Sequence, residues 1–166
     1  MLCFRSWPFL VLIWLLAGCS ASPRETTALF TATLSDVEGQ PRRIAPGIPL
    51  IVNFWARWCP PCRDEMPDFQ ALHRRHSGVR IIGIAIGESP ADVRAFARQH
   101  GYDYELLSAG ADGPTLMRTL GNDAGVLPYT LAIDAGGRIV AAKLGRISAS
   151  ELERAVEAVR GDRATR

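Results

Sequence analysis

Cys59 and Cys62 stand close together with Pro60 and Pro61 between them. A crosslink across so short a span closes almost no loop, and the stabilisation a disulfide supplies grows with loop length, so this pair suits reaction better than stapling. The reaction open to it is thiol–disulfide exchange: a thiolate attacks a substrate disulfide, and a second thiol resolves the mixed disulfide. Cys59, first in the pair, is assigned as the nucleophile and Cys62 as the resolving thiol. The prolines carry more information than a spacer would. Neither has a backbone N–H, so the first amide within reach of the Cys59 sulfur is that of Cys62. A thiolate with few donors is poorly stabilised, which points toward a reducing potential, and Arg57 and Arg63 oppose this by lending positive charge.

A proton must be handled beside such a pair. Asn53, in the apolar run before it, is a neutral amide and cannot take that role. Glu88 is the expected substitute, because it follows a second apolar run and loops after parallel strands gather at one edge of a sheet. Its purely structural alternative is a surface carboxylate beside the helix cap Ser89, favoured by the helix dipole. Trp58 is expected to cover the cysteines and contact partners, and Trp55 to lie in the core. His73 and His76 sit at the polar end of a helix with no third ligand near them, so they read as solvated surface; no metal and no cofactor is assigned.

The elements around these residues follow from periodicity. Leu50 to Trp55 is continuously apolar, as a strand buried on both faces is, and Cys62, Met66, Phe69 and Leu72 recur near helical spacing. The dithiol therefore lies on a strand-to-helix turn, at a helix N-terminus that favours a thiolate. The helix runs to about His76 and should bend at Pro67. Val79 to Ile86 is a second buried strand, and Ser89 with Pro90 opens a helix to about His100. Ala28 to Leu34 is expected as a first strand, returning over Arg42 to Ala45. Tyr104 to Leu107 reads as a strand, Gly110 to Pro114 as a loop and Thr115 to Leu120 as a short helix. Tyr129 to Ile133 and Arg138 to Leu144 form a hairpin about Asp134–Gly137, and Ser148 with Glu151 caps a final amphipathic helix.

The chain has 166 residues, 48% of them hydrophobic, which suits one ordinary domain with a core. Its formal charge of +2 comes from interspersed acids and bases, so there is no basic stripe for nucleic acid. Arg5 ahead of the apolar run Trp7 to Leu16 has the layout of a secretory signal over residues 1–18, and the run is shorter than the roughly 20 residues a spanning helix needs. Leu16-Ala17-Gly18-Cys19 resembles a bacterial lipobox, which implies lipidation of Cys19. Residues 19–27 are then a tether, residues 28–161 the domain and residues 162–166 a frayed tail. The expected location is extracytoplasmic, periplasm-facing and lipid-anchored to a bacterial membrane. Ser20 lacks the Asp that often retains lipoproteins in the inner membrane, which leaves an outer-membrane tether open.

The run Leu50-Ile51-Val52-Asn53-Phe54-Trp55-Ala56-Arg57-Trp58-Cys59-Pro60-Pro61-Cys62-Arg63-Asp64-Glu65-Met66-Pro67 resembles the TlpA/ResA-like branch of the thioredoxin superfamily. Gly87-Glu88-Ser89, Leu127-Pro128-Tyr129-Thr130 and Ile133-Asp134 extend the likeness over roughly residues 30–160. The resemblance implies an α/β thioredoxin fold: a central mixed sheet flanked by helices, with an added helix/strand segment between the CxxC helix and the cis-Pro strand. It implies a cis Leu127–Pro128 bond in a loop that faces the dithiol and pairs with an extended substrate, and it places Glu88 beside the cysteines. It also implies a reductant that passes electrons from a membrane donor of the DsbD/CcdA kind to protein disulfides, in cytochrome c maturation or copper-site assembly. Two positions depart from the common pattern: Pro-Pro between the cysteines is also seen in tryparedoxin-like relatives, and Tyr129 stands where many members have Thr. Two other functions use the same residues. A disulfide oxidase or isomerase would run the chemistry the other way, and a copper-binding assembly chaperone would use both thiolates as ligands, although no His or Met ligand is placed beside the pair.

Overall fold

In a computed structural model of the protein, residues 26–161 are described. The signal segment, Cys19 and the tail expected after Gly161 lie outside them. The elements in chain order are α1 (Thr27–Thr31), β1 (Leu34–Asp36), β2 (Pro41–Arg42), β3 (Leu50–Trp55), α2 (Pro60–Arg75), β4 (Arg80–Ala85), α3 (Pro90–His100) and β5 (Glu105–Ser108). They continue with α4 (Gly113–Thr119), β6 (Tyr129–Ile133), β7 (Ile139–Leu144) and α5 (Ala149–Arg160). Among the described residues no helix is long and apolar enough to cross a membrane.

The strands form one mixed sheet in the order β2-β1-β5-β4-β3-β6-β7. β3 pairs in parallel with β4 and antiparallel with β6, and β4 pairs in parallel with β5. β3 is buried along its whole length because both of its faces are covered. Ile51 and Trp55 pack with Met66, Phe69 and Leu72 of α2, Phe96 of α3 and Val156 of α5. Leu50, Val52 and Phe54 point the other way, into a second core with Leu29 of α1 and Leu116 and Met117 of α4. The period-two alternation of one strand thus feeds both layers.

Helix starts are set by the residues expected to set them. The Ser89 side chain accepts from the Asp92 amide with Pro90 in the first turn of α3, and Ser148 and Glu151 form a reciprocal capping box on α5. α2 runs on through Pro67 to Arg75. The N-terminal strand expected over Ala28 to Leu34 is instead α1 followed by the short β1, because Leu29 is fully buried in the second core and the Thr31 hydroxyl bonds back to the Thr27 carbonyl at 2.8 Å. Thr26 is buried and Thr27 opens α1, so both belong to the fold rather than to the expected tether. The return strand is cut to Pro41–Arg42, and the loop expected at Gly110 to Pro114 is a 3-10 turn running into α4, with Pro114 in that helix's first turn.

The topology collects the chemistry at one edge. β3, β4 and β5 all end there, and β6 begins there, since Tyr129 pairs with Phe54. The turn carrying Cys59, the loop carrying Glu88 and the Leu127–Pro128 bond leave the sheet on the same side.

Candidate active site

Cys59 is the N-cap of α2, in extended backbone conformation, with Pro60 and Pro61 in the first turn. Its sulfur accepts from the Cys62 amide at 3.3 Å, the first donor the prolines leave available. The two cysteines are joined as a disulfide; Cys59 keeps a sliver of surface, 4%, and Cys62 none. Trp58 beside them is 70% exposed, while Trp55 is fully buried.

Glu88 is buried at the same edge, and both of its oxygens engage Arg57. Oε1 accepts from the Arg57 backbone amide at 3.0 Å, and Oε2 pairs with Arg57 Nε at 2.6 Å. The Ser108 hydroxyl donates to the Glu88 carbonyl, and Arg57 also reaches Asp92 at 3.4 Å. Glu88 therefore grips the backbone just ahead of the nucleophile. Leu127–Pro128 is a cis bond, and the Pro128 carbonyl accepts from Gly145 at 2.8 Å. The loop before it is bracketed by Asn122, whose side chain donates to the Val126 carbonyl at 2.7 Å and accepts from the Val126 amide at 3.1 Å.

One buried acid near the dithiol helix start escaped the sequence reading. Glu65, one helical turn after Cys62, has no exposed surface. Its Oε1 accepts from Asn53 Nδ2 at 2.7 Å and its Oε2 from the Ile147 amide at 2.9 Å. Asn53 Nδ2 also donates to Thr130 Oγ1 at 3.1 Å, so β3, β6, α2 and the start of α5 meet at this carboxyl. Burial pushes the Glu65 pKa up to about 7, against the pull of the Ile147 and Asn53 hydrogen bonds and the Arg146 charge. The signal was present in the sequence: residue 65 lies on the apolar stripe that contains Cys62, Met66 and Phe69, and an acid on such a stripe demands partners. His76, by contrast, contacts Glu153 at 2.8 Å away from the dithiol, and among the described residues no group of three or more His, Cys, Asp or Glu is placed to hold a metal.

A reactive pair capping the helix after a central strand, with a cis-proline loop on the same edge of a mixed sheet, defines a thioredoxin-fold thiol–disulfide oxidoreductase. Comparison with known proteins narrows this: the model of the AhpC/TSA family matches residues 26–142, and the chain belongs to that family. It is 29% identical over 131 residues to the thiol-disulfide oxidoreductase ResA of Geobacillus thermodenitrificans (strain NG80-2), covering 76% of this chain and 73% of that one. It is 31% identical over 124 residues to ResA of Bacillus thuringiensis (strain Al Hakam), covering 72% and 69%. Among solved structures it is similar to a thiol:disulfide interchange protein of the thioredoxin family from Chlorobium tepidum TLS, with a TM-score of 0.66, 30% identity, and coverage of 84% of this chain and 98% of that one. The resemblance drawn from the Leu50–Pro67 run, and the thioredoxin fold it implied, are thereby borne out.

Proposed function

We propose that this thiol–disulfide oxidoreductase works as a reductant of protein disulfides outside the cytoplasm, tethered to a bacterial membrane through lipidated Cys19. The observation that carries the direction is the single amide donor at the Cys59 sulfur, because a thiolate with few donors gives up electrons readily. The Cys59 thiolate attacks a substrate disulfide and forms a mixed disulfide. Cys62 then loses its proton to Glu65, attacks the Cys59 sulfur and frees the reduced substrate, which leaves the Cys59–Cys62 disulfide in place. Glu65 suits this step because a carboxyl with a pKa about 7 accepts a proton near neutral pH and gives it up again.

Glu88, expected to move the proton, is assigned a positioning role, since both its oxygens are taken by Arg57. Trp58, Leu127 and Pro128 offer the surface on which an extended substrate segment lies, with Pro60 and Pro61 shaping the turn. A membrane donor of the DsbD/CcdA kind returns the electrons, and cytochrome c maturation or copper-site assembly supplies the substrate. A Cys62→Ser protein expressed in cells tests the reading, since it should accumulate mixed disulfides through Cys59 with exported proteins. Their absence in that variant, with Cys59 free and alkylatable, contradicts it.

A further inference from the structure

Glu65 has no surface of its own, yet Ile147, which it is bonded to, and Thr130, which shares its Asn53 partner, line a cleft. The cleft, about 250 Å3, opens between β7 and α5 and is lined by Thr130, Ala141, Lys143, Ile147 and Ala155 among others. Two of those residues lead to the buried carboxyl. Ile147 donates its amide to Glu65 Oε2, and Thr130 accepts from the Asn53 amide group that also holds Glu65 Oε1. Asn53 Oδ1, fully buried, has no protein partner, so the polar cluster is not closed upon itself.

A protein substrate in the mixed disulfide covers the edge that holds Cys59, Trp58 and Pro128. The proton released by Cys62 must leave while that edge is occluded. The cleft lies where Thr130 and Lys143 are cross-strand partners, and none of Cys59, Trp58 and Pro128 lines it. We infer that Glu65 passes the proton of the resolving step to water in the β7–α5 cleft, with Thr130 and Ile147 as its inner wall, and not past the dithiol. The inference rests on the reading above in which Glu65 takes the Cys62 proton. The Cys62 S–H gives its proton to the Glu65 carboxylate, and the Cys62–Cys59 bond forms as the Cys59–substrate bond breaks. The substrate sulfur leaves with the electron pair as a thiolate and is protonated by water once the substrate has dissociated, and the Glu65 carboxyl loses its proton to cleft water.

The groups that bear on the carboxyl are Asp68 on α2, Arg146 after β7 and Tyr104 ahead of β5. The cleft carries Lys143 paired with Glu151 at 2.9 Å, and Arg154.

Two adducts on Cys59 of the full chain separate an exit route from a structural effect: one to serum albumin through its free cysteine, which occludes the edge, and one to thionitrobenzoate, which leaves it open. Ala141 is exposed, so Ala141→Phe narrows the cleft without entering a core. This variant should slow Cys62-dependent release of albumin about tenfold, a small part of what positioned proton transfer contributes, and leave thionitrobenzoate release near the wild-type rate. Equal slowing of both adducts, or slowing of neither, overturns the exit route. Glu65→Gln is the control: it should slow both adducts, and if it slows neither, the reading of Glu65 as proton acceptor fails first.

Discussion

Asn53 Nδ2 donates to Glu65 Oε1 at 2.7 Å, tying the strand before the dithiol to the carboxyl one turn after it. A neutral amide cannot accept the Cys62 proton, but it can hold the carboxyl proposed to do so. The same Asn53 amide also bonds Thr130 of β6, and the Ile147 amide ahead of α5 bonds the other carboxyl oxygen, so an acid carried by α2 is held from β3 and from the segment before α5.

Burying this acid has a stability consequence whose sign is opposite to that of an ordinary salt-bridged carboxylate. Its pKa rises from 4.5 to about 7 on folding, so between those values the folded state binds a proton that the unfolded state does not. Stability from this group therefore falls as pH rises through that window, by a total of about 3 kcal/mol, and the loss is complete above it. Urea unfolding of the oxidised protein should show Glu65→Gln flattening this slope and gaining on wild type at pH values above the window. An unchanged slope places the Glu65 pKa near its ordinary value.

The grip of Glu88 on Arg57 predicts a different pattern. Glu88→Ala leaves the Arg57 amide without its acceptor and the half-exposed guanidinium with Asp92 alone, and should cost about 1–3 kcal/mol, as loss of a hydrogen-bonded charge does. Glu88→Gln retains an acceptor for the amide and should cost less. The pH profile of disulfide exchange checks the role: Glu88→Gln should keep its midpoint, whereas a displacement as large as that from Glu65→Gln would give Glu88 a part in proton transfer.

Pro61 withholds the second amide that an N-cap side chain can use. Pro61→Ala restores that donor and should stabilise the Cys59 thiolate by about 0.5–1.5 kcal/mol. The expected readouts are a lower Cys59 pKa and a potential raised by about 10–30 mV, measured by iodoacetamide alkylation against pH and by equilibration with glutathione. A potential that stays fixed would remove the prolines from the account of redox direction.

Membrane attachment is tested apart from the chemistry. Cys19→Ser should move the protein from the membrane fraction to the soluble extracytoplasmic fraction and abolish incorporation of labelled fatty acid, with disulfide exchange in solution unchanged. Label retained by this variant rules out Cys19 as the acylation site.

Much of this arrangement was legible in sequence. The Cys59 cap, the Ser89 and Ser148 caps, the buried strands β3 and β4 and the closing hairpin follow from local rules: missing proline amides, helix-start chemistry and hydrophobic period. What sequence did not disclose depends on contacts far along the chain. Leu29 draws its segment into a helix by packing in the core with Met117 and Leu120, against the strand expected from its apolar run. Glu65 was overlooked because its partners, Asn53, Thr130 and Ile147, are brought to it only by the strand order and the placement of α5. Glu88 follows β4 at the edge where the parallel strands end, and its pairing with Arg57 is a matter of side-chain geometry in that loop.

The direction of electron flow is the centre of the account, and the equilibrium potential of the Cys59–Cys62 pair tests it most directly. Equilibration against glutathione and thioredoxin buffers at neutral pH should place it below about −200 mV, on the reducing side of the disulfide isomerases and toward thioredoxin. A value near about −120 mV, where strongly oxidising dithiols lie, would contradict a reductant and turn the chemistry toward disulfide formation.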